Sequence, residues 1–240
     1  MRWIFRISYA ISSKFHSPRS IWNRELETEV YFWDHWLASK AVSAPGDYAR
    51  RLDPNCPIAP PVSKYVTSAD CKILDVGAGP LTILGKVHNG FRPSIIAVDA
   101  LADRYEELLA KHGIVPIVKT EALEAERLTE RFPAESFDIS YAENCLDHCY
   151  DPVRAIEQMF TVVKKGGVVI LVHSPDVGAK AGYQGLHQWN FRNWHSEFLI
   201  SSPAYATINI SQRYSQRASV VLSTREDGYL IVEMLKGSAR

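Results

Sequence analysis

The sequence predicts an α/β fold built on a doubly wound, mostly parallel β-sheet with an antiparallel C-terminal hairpin. Three observations carry this prediction. Short apolar runs alternate with amphipathic, helix-like segments from residue 72 to residue 172, as in sheets that helices cover on both faces. The first apolar run ends in a Gly-x-Gly turn at Gly77 and Gly79. Acidic residues follow several runs, at the edge where the carboxyl ends of parallel strands gather.

The alternation is clearest in the central part of the chain. We expect strands at residues 72–76, 94–98, 115–118, 137–142 and 168–172. We expect helices at residues 81–87, 102–111, 122–132 and 152–163. The last helix shows the period best, because Ile156, Phe160 and Val163 fall on one face. Asp151 is its expected N-cap and Pro152 its first residue.

The two flanks are less regular than the centre. We expect residues 1–69 to form an N-terminal helical and irregular extension, with an amphipathic helix at 25–39 followed by proline-rich sequence. This extension is expected to cover the edge of the sheet or to roof the ligand pocket. Residues 70–240 predict the main domain. Its last two strands, at 219–224 and 229–235, are expected to form the hairpin. Residues 174–217 lack a clear helical pattern and are expected to form a lid or insertion.

The Gly-x-Gly turn predicts a nucleoside-type ligand. Glycines at 77 and 79 let the backbone bend tightly and approach a ligand where a Cβ would collide. The expected helix at 81–87, opened by Pro80, would turn its unpaired N–H groups and positive end toward that ligand. Asp99 closes the second apolar run 22 residues after Gly77. That is close to the interval of about 20 residues that places a carboxylate on ribose hydroxyls.

Charge indicates which nucleoside is bound. A dinucleotide fingerprint needs a third glycine, but Thr82 stands there, and Pro80 removes an N–H that a pyrophosphate could use. Asp75 precedes the glycines, where it would repel a pyrophosphate and attract a cationic amino-acid tail. S-adenosylmethionine carries such a tail and a sulfonium, and it has no phosphate. We therefore expect S-adenosylmethionine as the cofactor, with a nicotinamide or flavin oxidoreductase as the disfavoured alternative.

Four blocks follow one another in a recognisable order: residues 74–79, residues 98–99, residues 120–122 and the run from 137 to 167. Together they resemble the class I S-adenosylmethionine-dependent methyltransferases of the broad small-molecule (type 11) group. The resemblance implies a Rossmann-like seven-stranded sheet and implies that Glu121 binds the adenine amino group. The competing interpretation is that Asp99 and Glu121 only cap the helices that follow. The expected cofactor-binding residues are Asp75, Gly77, Ala78, Gly79, Asp99, Ala100, Leu101, Glu121, Ala122 and Glu143.

Methyl transfer from a sulfonium needs alignment more than acid–base help, but a hydroxyl acceptor must lose its proton. His148 is the first candidate for the catalytic base, because an imidazole titrates near neutrality. Asp147 or Glu143 would orient it or contact the substrate. His187 lies among aromatic and hydrogen-bonding side chains and is the second candidate. The competing interpretation of His148 is a helix-flanking histidine paired with Asp151.

No metal is expected from the sequence. Cys145, His148 and Cys149 are the residue types that zinc prefers, but they are close neighbours with no distant fourth ligand. The Glu-x-x-Glu-His pattern that holds a divalent metal in some methyltransferases is not met, because Asn144 stands at the position of its first acid.

Composition favours a small-molecule enzyme of the cytoplasm. Lys+Arg and Asp+Glu are balanced at 27 each, which argues against a nucleic-acid partner. The four cysteines show no pattern of a secreted disulfide framework, and no apolar run approaches the roughly 18 residues of a membrane span. Residues 1–24 are basic and aromatic, so peripheral contact with a membrane surface is a further hypothesis, against a packed or frayed helix.

The predicted function is transfer of a methyl group to an oxygen or nitrogen of a small molecule, a class that includes glycans and lipid-linked intermediates. Two alternatives stay open. One is a catalytically silent, S-adenosylmethionine-binding regulatory or scaffold subunit. The other is a membrane-surface adaptor that rests on residues 1–24. The sequence predicts neither the methyl acceptor nor the oligomeric state, because the fold is shared by many chemistries.

Overall fold

The computed structural model describes residues 17–237. Its strands are β1 (Lys72–Val76), β2 (Ser94–Asp99), β3 (Thr120–Ala122), β4 (Phe137–Glu143), β5 (Val163–His173), β6 (Asn190–Trp194), β7 (Glu197–Ser202), β8 (Tyr205–Asn209), β9 (Ala218–Thr224) and β10 (Leu230–Lys236). Its α-helices are α1 (Pro18–Ala38), α2 (Pro45–Leu52), α3 (Ala102–Lys111), α4 (Pro152–Val162), α5 (Val177–Lys180) and α6 (Ile210–Tyr214). Short 3₁₀ turns span Val62–Tyr65, Ala125–Glu130 and Leu146–His148.

A seven-stranded sheet in the order β3-β2-β1-β4-β5-β10-β9 forms the centre of the molecule. Strands β1 to β5 are parallel to one another, whereas β10 lies antiparallel to both β5 and β9. The order reverses between β1 and β4, so the carboxyl ends of these strands open a crevice. The predicted doubly wound fold with its antiparallel C-terminal hairpin is confirmed.

The strands of the sheet bury both of their faces. On one face, Leu74 and Val76 pack with Phe160 of α4 in a single apolar cluster. On the other face, Ile73 packs against Val62 in a segment that precedes the sheet in sequence. The N-terminal extension therefore supplies part of the second layer over the sheet.

The predicted helix at 81–87 is absent, and the prediction is wrong. Residues 81–87 run without helical structure because they are tied to the segment before the sheet. The Lys86 N–H donates to Cys56 O at 2.7 Å, and the Ile58 N–H donates to Val87 O at 2.8 Å. A Cβ at Gly85 would lie 2.0 Å from Pro57 O, so the two backbones are in direct contact. Tertiary backbone pairing replaces the local helix.

The third strand and the helix after it also differ from the prediction. The strand lies at Thr120–Ala122 rather than 115–118, and Val115 is 83% exposed, so its apolar run is on the surface. The expected helix at 122–132 is shortened to the 3₁₀ turn Ala125–Glu130. The predicted helix at 102–111 and the Asp151 cap of α4 are confirmed, since the Arg154 N–H donates to Asp151 Oδ1 at 2.9 Å.

The long N-terminal helix α1 packs on the body of the protein. Ser17 caps it, accepting a hydrogen bond from the Ser20 N–H. Its buried Val30 and Leu37 join Tyr105 of α3 in a third apolar cluster. Residues 1–16, which carry most of the basic aromatic sequence of the membrane hypothesis, lie outside the described residues.

The segment expected to be a lid or insertion contains a small antiparallel sheet in the order β6-β7-β8. Phe191, Phe198 and Ile200 are fully buried between this sheet and the main core. None of the helices within residues 17–237 combines the length and the apolar character that crossing a membrane requires.

Candidate functional site

A cavity of about 780 Å³ lies at the carboxyl ends of β1, β2 and β4. This volume is within the range of small-molecule sites, about 300–1,000 Å³. Eight of the ten expected cofactor-binding residues line it, together with all three expected catalytic residues. They are Asp75, Gly77, Ala78, Gly79, Asp99, Ala100, Leu101, Glu143, Asp147, His148 and His187.

The two glycines form the turn that follows β1. Both have left-handed backbone conformations, with φ of 68° at Gly77 and 65° at Gly79. A Cβ at Gly77 would lie 2.4 Å from Cys145 Cβ, and one at Gly79 would lie 2.9 Å from Trp33 Cζ2. The glycines are therefore required for close packing around the cavity. The helix N-terminus expected to point at the ligand is not there, because no helix follows this turn.

Asp99 is held by backbone N–H groups at the end of β2. Gly79 N donates to Asp99 Oδ2 at 3.0 Å, and Leu101 N donates to Asp99 Oδ1 at 2.9 Å. Burial raises the pKa of this carboxyl to about 6. Its orientation is set by the glycine turn on one side and by the start of α3 on the other. The ribose-binding role stays a prediction.

Two further acids lie at the ends of β1 and β4. Asp75 is 1% exposed, and the Thr82 hydroxyl donates to its Oδ2. Burial raises the pKa of Asp75 to about 7. Glu143 accepts hydrogen bonds from the Tyr141 hydroxyl and from Arg225 Nη1, the latter at 2.9 Å. Of these two acids, only Glu143 accepts one of these hydrogen bonds from a cationic side chain.

Glu121 and Ala122 do not line the cavity. The Glu121 carboxylate forms an ion pair with Arg131, and Ala122 is exposed. Leu123, the next residue along the chain, lines the cavity instead. The adenine-binding role of Glu121 stays a prediction, and in the described arrangement its side chain would have to leave Arg131 to fulfil it.

The expected catalytic residues meet in one cluster. His187 Nδ1 is 2.6 Å from Asp147 Oδ2 and 3.0 Å from His148 Nε2, and His148 Nε2 is 3.4 Å from Asp147 Oδ2. Burial would raise the pKa of Asp147, but the nearby His148 and the hydrogen bond with His187 outweigh it and hold that pKa below its usual value. The hydrogen bond to Asp147 raises the pKa of His187. Within this cluster the described contacts of His148 are to His187 and Asp147, and not to Asp151 as in the competing interpretation.

Helix α1 covers the cavity, which is one of the two positions expected for the N-terminal extension. Seven of its residues line the cavity: Trp22, Leu26, Thr28, Glu29, Phe32, Trp33 and Trp36. Ion pairs of Glu27 with Arg104 and of Asp34 with Lys111, each at 2.7 Å, fasten it to α3. The apolar stripe of this helix was visible in the sequence, but the stripe alone did not indicate that the polar residue Glu29 would line the cavity.

The charges of the cavity fit S-adenosylmethionine. Seven carboxylates line it, and Arg51 is its one arginine among the described residues. Burial raises the pKa values of Asp75 and Asp99, so a positive charge beside them would stabilise their ionised forms. A ligand with an ammonium and a sulfonium would supply that charge, whereas a pyrophosphate would add repulsion.

Comparison with known proteins agrees with this chemistry. Residues 74–171 match the model of the family described as "Methyltransferase domain". The central part of the chain is therefore similar to this methyltransferase family. The chain is 28% identical over 143 residues to phosphatidylethanolamine N-methyltransferase of Cereibacter sphaeroides. This alignment covers 57% of this chain and 68% of that protein. The chain is 34% identical over 121 residues to an uncharacterized methyltransferase of Schizosaccharomyces pombe. This alignment covers 44% of this chain and 40% of that protein.

Among solved structures, the methyltransferase domain is similar to a SAM dependent methyltransferase from Aquifex aeolicus. The sequences are 12% identical, the TM-score is 0.47, and the match covers 87% of this chain and 97% of that chain. The expected class of enzyme, an S-adenosylmethionine-dependent methyltransferase, is confirmed by the family match. With it the choice of S-adenosylmethionine over a dinucleotide is confirmed.

Proposed function

We propose that this methyltransferase transfers the methyl group of S-adenosylmethionine to an oxygen or nitrogen of a small molecule bound beside Asp147, His148 and His187. One observation carries the proposal. This cluster lines the same cavity as the glycine turn and Asp99, although His187 lies 39 positions from His148 in the sequence. A cofactor held at the glycine turn and an acceptor held at the cluster would share one cavity under helix α1.

The reaction needs alignment first and proton removal second. The methyl carbon–sulfur bond breaks as the bond from methyl carbon to the acceptor atom forms, and S-adenosylhomocysteine leaves as a neutral thioether. Holding the two reactants in line contributes about 7–11 kcal/mol to lowering the barrier. Removal of the acceptor's proton by a positioned group adds about 3–5 kcal/mol. Asp147 keeps its two histidines oriented for that step.

The test is transfer of a labelled methyl group from S-adenosylmethionine into fractionated small molecules of the source cell. With an active fraction in hand, His148→Ala is expected to lower kcat about 10²–10⁴-fold while the affinity for S-adenosylhomocysteine stays unchanged. His35→Ala is the matched control, because His35 is exposed on α1 and does not line the cavity. Unchanged kcat in His148→Ala would remove the cluster from catalysis. Cofactor binding without product in any fraction would favour the silent regulatory subunit.

An aminophospholipid is the narrower candidate for the acceptor. The Cereibacter sphaeroides relative carries the name of a phosphatidylethanolamine N-methyltransferase. Helix α1, which covers the cavity, also exposes apolar side chains, with the cavity-lining Phe32 51% exposed and Tyr31 76% exposed. Vesicles with and without phosphatidylethanolamine, supplied with labelled S-adenosylmethionine, test this acceptor. Label in the lipid fraction of only the first vesicles supports it, and label in neither excludes it.

A further inference from the structure

We propose that Asp147, His148 and His187 form a binding site for one divalent transition-metal ion at the acceptor side of the cavity. The inference rests on the proposed function and goes beyond it, because it assigns a second bound species to the site. We place the ion where Asp147 Oδ2, His148 Nε2 and His187 Nδ1 converge. It would bind the acceptor atom and assist the loss of its proton.

The distances among the three atoms carry the proposal. They are 2.6 Å from His187 Nδ1 to Asp147 Oδ2, 3.0 Å between the two histidine nitrogens and 3.4 Å from His148 Nε2 to Asp147 Oδ2. Two adjacent ligands of an octahedral metal with bonds of about 2.1 Å lie about 3.0 Å apart. The three separations bracket that value, and all three atoms lie within 4.8 Å of one another.

Hydrogen bonding explains this triangle less well. The single proton on Nδ1 of a neutral His187 can be aimed at Asp147 or at His148, but it cannot align with both. If His148 Nε2 is unprotonated, its lone pair has no aligned donor in the cluster. If it is protonated and also donates to Asp147 Oδ2, two N–H groups stand side by side with their nitrogens only 3.0 Å apart. A metal ion accepts all three lone pairs at once.

The surroundings also match those of a metal ligand set. Glu29 Oε2 is 3.6 Å from His148 Nδ1, which places a carboxylate behind the nitrogen that does not face the cluster. Glu29 is itself fixed, because Trp33 Nε1 donates to its Oε1 at 2.8 Å. Carboxylates in this position set the tautomer and the orientation of metal-binding histidines. The N–H of the residue after His187 donates to Asp147 O at 3.1 Å, so the two segments are joined by their backbones as well.

Ligand types narrow the identity of the ion. Two imidazoles and one carboxylate on one face suit Fe²⁺, Mn²⁺, Co²⁺ or Zn²⁺, and they leave positions open for substrate. Mg²⁺ and Ca²⁺ prefer oxygen ligands. The nearby Cys145 is not part of the set, because its thiol donates to Val76 O at 3.1 Å. The sequence-based expectation of no metal considered the neighbouring cysteines and could not include His187.

The chemistry of such an ion suits an oxygen acceptor. Binding of an acceptor hydroxyl to the ion lowers the hydroxyl pKa, as it does for metal-bound water. The O–H bond then breaks with its proton passing to solvent, the oxygen attacks the methyl carbon, and the carbon–sulfur bond breaks. No electron is gained or lost by the metal in these steps. The histidines then serve as ligands rather than as the final proton acceptors.

The test is direct binding of Co²⁺ to untagged, chelator-stripped protein. We expect one ion per chain, with visible absorption bands of bound Co²⁺ and a calorimetric Kd. His187→Ala is expected to weaken binding at least 100-fold, and Glu29→Gln about 10–100-fold. His35→Ala is expected to bind as the wild type does. S-adenosylhomocysteine affinity reports whether each variant is folded.

Three results would overturn the proposal: no Co²⁺ bands from the wild type, equal Kd in His187→Ala, or binding of Co²⁺ through the cysteines, which a sulfur charge-transfer band would reveal. The outcomes also separate it from the proposed function. Methyl transfer that persists in strong chelator, without Co²⁺ binding, removes the metal and leaves the methyltransferase assignment. Stoichiometric Co²⁺ binding without methyl transfer to any fraction retains the metal site and removes the proposed function.

Discussion

We expect Asp75→Asn to raise the stability of this protein at pH 8 and to lower its affinity for the cofactor. Asp75 is a buried carboxyl at the end of β1 whose pKa is raised to about 7, chiefly by burial. The folded protein therefore binds its proton more tightly than the unfolded chain does, and this contribution to stability is lost as the pH rises through about 7. At pH 8 the buried carboxyl is ionised, which lowers the free energy of unfolding of the ligand-free protein. The amide of asparagine has the same shape without the charge.

The size of the effect follows from the pKa. A rise from the ordinary value near 3.9 to about 7 corresponds to about 4 kcal/mol of lost stability once the group is ionised. The asparagine oxygen can still accept the hydrogen bond from the Thr82 hydroxyl. Its buried NH₂ group needs a partner and costs about 1–3 kcal/mol. We expect Asp75→Asn to raise the free energy of unfolding by about 1–3 kcal/mol at pH 8, and to bring no gain at pH 4.

Cofactor affinity should change in the opposite direction. Loss of a charged hydrogen-bond acceptor for the ammonium of S-adenosylmethionine costs about 1.5–3 kcal/mol, which is about 10–150-fold in Kd. The assays are urea unfolding at both pH values and calorimetric titration with S-adenosylmethionine. Asp70→Asn is the control, because Asp70 is exposed. An Asp75→Asn protein that is less stable than the wild type at pH 8 and binds the cofactor normally would refute the reasoning.

Further substitutions test the packing and the ion pairs of the site. Gly85→Ala should lower the free energy of unfolding, measured by urea denaturation, by about 1–3 kcal/mol, because its Cβ would lie 2.0 Å from Pro57 O. An unchanged free energy of unfolding would show that the two paired backbone segments can move apart without cost. Arg225→Gln should cost about 1–3 kcal/mol by the same assay, since it removes the cationic partner of the nearly buried Glu143. Trp33→Ala should speed cofactor dissociation, measured by stopped flow, because Trp33 packs over the glycine turn; equal rates would show that α1 does not retain the cofactor.

Every strand of the main sheet except β3 was predictable, because each of the others depends on a local pattern. A continuous apolar run bounded by polar or turn residues is enough to specify a buried parallel strand, and Lys72–Val76 has the predicted bounds. Helix α3 was equally predictable, since its apolar period and polar face are local. The helix at 81–87 was not, because the backbone bonds of that segment go to residues near 57. A local sequence pattern does not show these long-range hydrogen bonds, so it cannot predict that they replace the helix.

The candidate site likewise has features that local sequence predicts and features that depend on contacts between distant residues. The sequence by itself determined that Asp75, the glycines and Asp99 would meet, because the ends of parallel strands gather at one edge whatever the loops do. Only the tertiary structure decided that α1 covers the cavity, and that Glu121 pairs with Arg131 instead of lining it. It also decided that His187 joins His148, since loops of the segment after β5 position that contact. Strand ends are fixed by backbone hydrogen bonding that every sequence shares, whereas loop contacts depend on side-chain packing between residues far apart in the chain.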